Sequence, residues 1–242
     1  MKSSPNSIVL IGSTGAVGSE VLKALLAMPR VIEITTLSRR NVATPAHDPR
    51  HSHVVDMLDP QSYRQFVKGQ QAAVCTLGVG QPSTMSHEEF ARIDRDAVIT
   101  FAKICKEAGV SHFQVLSSVA ANAGSNNRYL RTKGQLQAAL VALDFERLSI
   151  FQPSMILTPT NRYGWVQGLT LKVWPTLSHL LLGRFSKYRG ITARNLGLAM
   201  VRNLFVGGPQ VEVLHWQEFS SLARLPHRQS TMENSGLRVL ND

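Results

Sequence analysis

Residues 8–22 read Ile-Val-Leu-Ile-Gly-Ser-Thr-Gly-Ala-Val-Gly-Ser-Glu-Val-Leu. Ile8 to Ile11 form a short apolar run rich in β-branched residues, the signature of a buried strand. Gly12, Gly15 and Gly18 follow at spacings of three. Val17, Val21, Leu25 and Met28 then fall on one face of a helix, which Pro29 stops. Glycines between a buried strand and a helix have a physical use. One permits a tight turn, one lets a pyrophosphate approach the backbone, and one lets helix and strand pack closely. The free N–H groups and dipole of the helix N-terminus favour phosphate charge. Gly12, Ser13, Thr14, Gly15, Ala16 and Val17 are therefore candidate contacts for a nucleotide, with Ser13 and Thr14 offering hydroxyl donors.

Outward from this turn the chain alternates. Val31 to Leu37 is a second β-rich segment, and Ser38-Arg39-Arg40 closes it. Residues 41–52, with Pro45 and Pro49, read as a loop, and Val54-Val55 as a short third strand. Pro60 can open a helix through Phe66 and Val67, and Ala72 to Leu77 is a fourth strand ending at Gly78. Phe90, Ile93, Ala97, Phe101 and Ile104 define one stripe of a helix over 87–108, capped by Gly109. Phe113 to Leu116 is a fifth strand, residues 127–142 a helix, and Arg147 to Phe151 a sixth strand before Pro153. Such alternation calls for an α/β fold with a doubly wound parallel sheet and right-handed crossovers.

After Pro153 the alternation is expected to fail. Trp165 to Leu182 is apolar but interrupted by Pro175, residues 192–206 suggest a helix, and Val211 to Leu214 a late strand. Residues 154–222 are read as a small, mainly helical cap on a single domain spanning 1–222, and 223–242 as a polar tail. The cap would cover the strands' C-terminal edge, where ligands bind in this fold class. Trp165, Leu169, Val173, Trp174, Leu177 and Leu181 are read as cap packing or a subunit face before a substrate pocket.

The bulk numbers narrow the function classes. With 242 residues and a hydrophobic fraction of 43%, the chain can build one sizeable core. Cys75 and Cys105 sit in apolar settings without metal-ligand spacing, which suits reduced thiols in a cytoplasmic protein. No run approaches membrane-spanning length, and the first residues lack a signal-peptide apolar region. The formal charge of +10 suits a nucleic-acid surface, an anionic cofactor or substrate, or simply an Arg-rich exterior. It is scattered, with no nucleic-acid motif beside it, so nucleic-acid binding is not expected as the main role. His47, Asp48, His51 and His53 crowd one loop, but no second ligand cluster matches them, and no metal site is expected.

Two clusters carry chemistry. The second strand ends without the acid that would hold a ribose 2′-hydroxyl; Arg39 and Arg40 stand there instead. Guanidinium groups suit a 2′-phosphate by charge and by their planar fork, which favours NADP over NAD. Tyr129 and Lys133, four apart, share a helix face. A phenol is by itself a poor acid–base group at neutral pH, and a neighbouring ammonium favours its ionised form. Ser117 and Ser118, at the end of the preceding strand, can donate to a carbonyl oxygen in the same pocket.

These motifs resemble the short-chain dehydrogenase/reductase superfamily in its atypical branch with Gly-x-x-Gly-x-x-Gly. Arg92-Ile-Asp-Arg-Asp96, His112-Phe-Gln-Val-Leu-Ser-Ser118, Tyr129-Leu-x-x-Lys-Gly134 and Phe145-Glu-Arg-Leu-Ser-Ile-Phe151 resemble more closely the Tat-interacting oxidoreductase family, NAD(P)H-binding and NmrA-like. The similarity runs from about Ser7 to Leu222. It implies an NADPH-binding Rossmann domain and a catalytic trio. Ser118 would position the substrate carbonyl, Tyr129 would exchange the proton, and Lys133 would hold the nicotinamide ribose and tune Tyr129. Ser117 is the alternative serine. It also implies adenine contacts at Asp56 and Met57, a strand end under the cofactor at Leu77-Gly78, and a nicotinamide loop at Pro153. Gln152 stands where relatives commonly have Arg. The leading reading is an NADP-dependent oxidoreductase acting on a small carbonyl or alcohol. The alternatives are an NADPH-sensing regulator with protein partners and a nucleotide-sugar epimerase or dehydratase.

Overall fold

The computed structural model describes residues 5–40, 50–79, 85–158, 181 and 183–225. Its centre is β1 (Ser7–Ile11), buried along its whole length. β2 (Glu33–Ser38) and β4 (Ala72–Cys75) flank β1, and β3 (Arg50–Val54), β5 (His112–Leu116), β6 (Arg147–Phe151) and β9 (Val211–Leu214) complete the sheet in the order β3-β2-β1-β4-β5-β6-β9. Every pairing in it is parallel. That order reverses direction between β1 and β4, which opens a crevice beyond the C-terminal ends of the central strands.

The residues of β1 alternate between two cores. Val9 and Ile11 join one cluster, with Phe101, Phe113, Leu136 and Leu140. Ile8 and Leu10 join the other, with Val17, Val21, Leu25, Leu196 and Met200. A strand covered on both faces reads as an unbroken apolar run, and that is why β1 is so plain in the sequence.

The helices follow the same logic. α1 (Ala16–Leu26) buries Val17, Val21 and Leu25. After the short α2 (Arg64–Val67), α3 (His87–Ala91) opens on a capping box between Ser86 and Glu89. The expected 87–108 helix is not uniform. Arg92–Ala97 is a π-helical segment, and α4 (Val98–Glu107) continues from it until Gly109 takes a φ of +84°. α5 (Arg128–Val141) is capped by the Asn127 side chain, which accepts from the Leu130 N–H at 3.1 Å.

Two expectations need correction. The third strand is Arg50–Val54, not Val54-Val55, so part of the supposed 41–52 loop is sheet. Among the described residues it is an edge strand beside β2, and its partly exposed polar side chains leave no apolar signature. Nor does the alternation end at Pro153. β7 (Met155–Leu157) pairs with β8 (Gly190–Thr192) in a separate two-stranded sheet, which leads into α6 (Ala193–Asn203). Leu196 and Met200 of α6 share a core with α1, and β9 then adds a seventh strand beside β6. Residues 193–214 thus extend the sheet layer rather than cap it, and α7 (Trp216–Arg224) follows β9. The 41–49 loop, the apolar stretch 159–180 with Leu182, and the tail from residue 226 lie outside the described residues.

Candidate active site and cofactor cleft

The turn after β1 is built as its glycines require. Gly12 has φ +87°, a left-handed conformation costly for any residue with a Cβ. The Gly15 N–H bonds back to Gly12 O at 2.9 Å, and Thr76 Oγ1 donates to Ile11 O at 3.1 Å and Gly12 O at 3.2 Å. A Cβ on Gly18 would lie 2.1 Å from Gly12 O, so only a glycine lets α1 pack this close to the turn. Gly15 caps α1 without a side chain, and the first turn carries no acid. Among the described residues no side chain caps its leading N–H groups, a setting that suits an anion.

This turn forms one end of a cleft of about 750 Å³ over the C-terminal edge of the sheet. Gly12, Thr14, Gly15, Ala16, Val17, Arg39, Arg40, Met57, Leu77, Gly78, Ser118, Tyr129, Lys133 and Pro153, all singled out from the sequence, line it together with Ser117. Ser13 and Asp56 do not. Ser13 is buried beneath the turn, while Asp56 is spent on its own loop, where Oδ1 accepts from the Leu58 N–H at 2.9 Å. The exposed Arg39 and Arg40 stand just beyond the end of β2, on the strand next to the Gly-rich turn.

At the other end, Tyr129 and Lys133 rise from the same face of α5. The Tyr129 ring packs on Phe90, with centroids 5.6 Å apart. Lys133 is buried, and its Nζ lies 2.7 Å from Asp94 Oδ2. Burial pulls the Lys133 ammonium down, but Asp94 first and Tyr129 second more than offset it, and its pKa is raised. Cys75 lies nearby at the end of β4, and burial pushes its thiol up to about 12, which keeps it neutral. The two serines differ in their partners. Ser117 Oγ accepts a 2.5 Å bond from Gln137 Nε2, whereas Ser118 Oγ donates to the neighbouring Val119 O at 3.3 Å.

Asp94, Thr76 and Gln137 were not singled out as site residues by the sequence reading. Asp94 stood inside the quoted Arg92–Asp96 phrase, but nothing local distinguishes it from the charges around it. Gln152, noted in place of Arg, turns to Gln137 Oε1 (3.0 Å) and does not line the cleft. Of the histidine-rich loop, His47 and Asp48 lie outside the described residues, and His53 stacks on Phe66 with centroids 3.6 Å apart. Among the described residues there is no helix long and apolar enough to cross a membrane.

Comparison with known proteins agrees with this construction. The chain is similar to Protein HTATIP2 of Rattus norvegicus, 31% identical over 62% of this chain and 63% of the rat protein, so the match spans less than two thirds of that relative's length. Protein fmp-52, mitochondrial, of Neurospora crassa is 30% identical over 79% of this chain and 84% of the fungal one. Among solved structures, MoeE5 in complex with UDP-glucuronic acid and NAD shares the fold, with a TM-score of 0.66 at 16% identity over 86% of this chain and 75% of that one. The family described as NAD(P)H-binding matches residues 12–147. Because that match runs from the first glycine of the turn to the start of β6 and takes in more than half of the chain, the protein belongs to the NAD(P)H-binding family.

Proposed function

We propose that the protein is an NADP-dependent oxidoreductase that moves hydride between the nicotinamide and a small carbonyl or alcohol. The observation that carries this reading is that Ser118, Tyr129 and Lys133 line the same cleft as the Gly-rich turn. The uncapped N-terminus of α1 suits a pyrophosphate, and Arg39 and Arg40 suit a 2′-phosphate. When bound, NADPH supplies the hydride at its nicotinamide C4. The remaining work falls to the chain. Ser118 Oγ donates a hydrogen bond to the carbonyl oxygen and fixes its position. Tyr129 gives its proton to that oxygen as the carbonyl carbon receives the hydride, and takes a proton back in the reverse direction. Lys133 keeps a positive charge beside the phenol and donates to the nicotinamide ribose. In this reading, residues 1–222 form one cofactor-binding domain whose part after 154 shapes the substrate side, 223–242 form a tail, and the protein acts in the cytoplasm.

The test is a screen of aldehydes, ketones and quinones for NADPH oxidation, with UDP-sugars alongside followed by chromatography of their isomerised or dehydrated products, and then Tyr129→Phe. The variant keeps the ring and loses its exchangeable proton, so NADPH affinity survives while turnover fails. Full turnover by Tyr129→Phe overturns the assignment. Tight NADPH binding with no substrate found puts the sensor reading ahead, and turnover of a UDP-sugar puts the epimerase or dehydratase reading ahead. Fractionation of cells producing the protein checks the compartment, and a mitochondrial location overturns the cytoplasmic one.

A further inference from the structure

Arg92, Asp94, Arg95 and Asp96 follow one another on a single π-helical segment, yet they have different fates. Arg92 and Asp96 are exposed, and Arg95 pairs with Asp96 at 2.7 Å near the surface. Asp94 alone of the four is buried, at 1% exposure, and it lines the cleft. Both its oxygens are engaged. Oδ2 meets Lys133 Nζ at 2.7 Å, and Oδ1 accepts from the Val79 N–H at 2.6 Å. The carboxylate therefore joins three segments: the π segment, α5, and the chain leaving β4. The fit is close, because a Cβ on Gly78 would lie 3.3 Å from Asp94 Oδ2.

A buried ion pair has no general advantage over well-packed apolar side chains, so stability alone does not account for it. Its position does. An ammonium has three donors. Asp94 takes one, and the two others match the oxygens of a ribose and of the Tyr129 phenol. A π segment inside an α-helical run is also frequent at functional sites. We propose that Asp94 is the positioning residue that holds Lys133 charged and aimed into the cleft, and that ties it to the strand end beneath the cofactor. This proposal rests on the Ser118–Tyr129–Lys133 reading and adds a fourth member to it. The titratable groups facing Lys133 are Asp94 from the π segment, Tyr129 from its own helix and Cys75 from β4. With the Cys75 thiol neutral, Asp94 is the group that sets the charge of the lysine at neutral pH.

Asp94→Asn in the full chain keeps the shape and the acceptor for Val79 but removes the charge. The dissociation constant of the tighter-binding of NADPH and NADH is measured by calorimetry across about pH 6 to 11.5, a range that needs no turnover and reaches past the ordinary lysine value near about 10.4. The expected result is that the alkaline loss of affinity begins roughly 1–3 pH units lower in the variant than in wild type. A variant with a lower melting temperature but an unmoved pH limb overturns the proposal, since a structural brace would give that result. If Asp94→Asn does not fold, Asp94→Glu takes its place. It retains the charge, so its limb stays at the wild-type pH while affinity falls; a shifted limb overturns the proposal. Failure of the Ser–Tyr–Lys reading shows separately, in the turnover of Tyr129→Phe.

Discussion

Gln137 Nε2 donates a 2.5 Å hydrogen bond to Ser117 Oγ, and Gln137 sits on α5 four residues past Lys133 and eight past Tyr129. One helix face thus carries all three side chains, Tyr129 and Lys133 lining the cleft and Gln137 reaching Ser117 at its wall. Gln137 Oε1 is in turn bonded by Gln152 Nε2 at 3.0 Å, and Gln152 Oε1 by His215 Nε2 at 3.1 Å. Ser117 is pinned from behind by this chain of amides, while Ser118 has a long bond that a substrate oxygen can replace. Ser118→Ala is therefore expected to lower kcat by about 10²–10³-fold, the cost of losing an oxyanion donor. Ser117→Ala and Gln137→Leu are expected to cost less. Steady-state kinetics on the best substrate of the screen decides, and a larger loss in Ser117→Ala would transfer the role to Ser117.

Arg39 and Arg40 are expected to set cofactor choice. Losing a charge-assisted contact to a 2′-phosphate costs roughly 1.5–3 kcal/mol, about one to two powers of ten in affinity. The Arg39→Ala/Arg40→Ala variant should weaken NADPH by that factor and leave NADH unchanged in calorimetric titrations. Equal binding of both cofactors by the wild type would remove the basis for an NADP preference.

Gly18→Ala probes the packing of the turn. The new methyl would start 2.1 Å from Gly12 O and 2.6 Å from Thr76 Oγ1, so the turn or the helix must move. Overpacking of this kind costs about 1–3 kcal/mol. Urea unfolding should show that loss, together with a loss of NADPH binding because the displaced N–H groups no longer converge. Wild-type stability and affinity in this variant would mean that α1 can shift freely against the turn.

His112 should make stability fall with acid. Its Nε2 lies 2.7 Å from Ser149 Oγ, which gives its own proton to Glu212 at 2.5 Å, so the neutral ring is the donor. Burial first, and the Arg147 charge second, lower the pKa of His112 to about 3. Between that value and about 6.5, the unfolded chain binds a proton that the folded one refuses. The site's contribution is thus intact above about pH 6.5 and is lost below it, by up to about 1.4 kcal/mol per pH unit. Unfolding free energies at about pH 7 and 5 measure this. His112→Gln should flatten the dependence, and an unchanged slope would place the acid sensitivity elsewhere.

The sequence by itself determined the strand–turn–helix at residues 8–26, the parallel alternation through Phe151 and the pairing of Tyr129 with Lys133 on one face. These are local matters. Strands buried on both faces, helical periodicity and the spacing of glycines are written in neighbouring residues. Tertiary structure decided the rest. Arg50–Val54 is a strand because β2 offers it a ladder, and its polar side chains carry no sign of that. Val211–Leu214 is the seventh strand because the chain returns beside β6 after a detour through β7 and β8. Asp94 differs from Asp96 only in what the fold sets opposite it: Lys133 lies 39 residues further along the chain. Whether a carboxylate ends in solvent or against a buried ammonium is a property of two distant segments meeting. No window of sequence contains both.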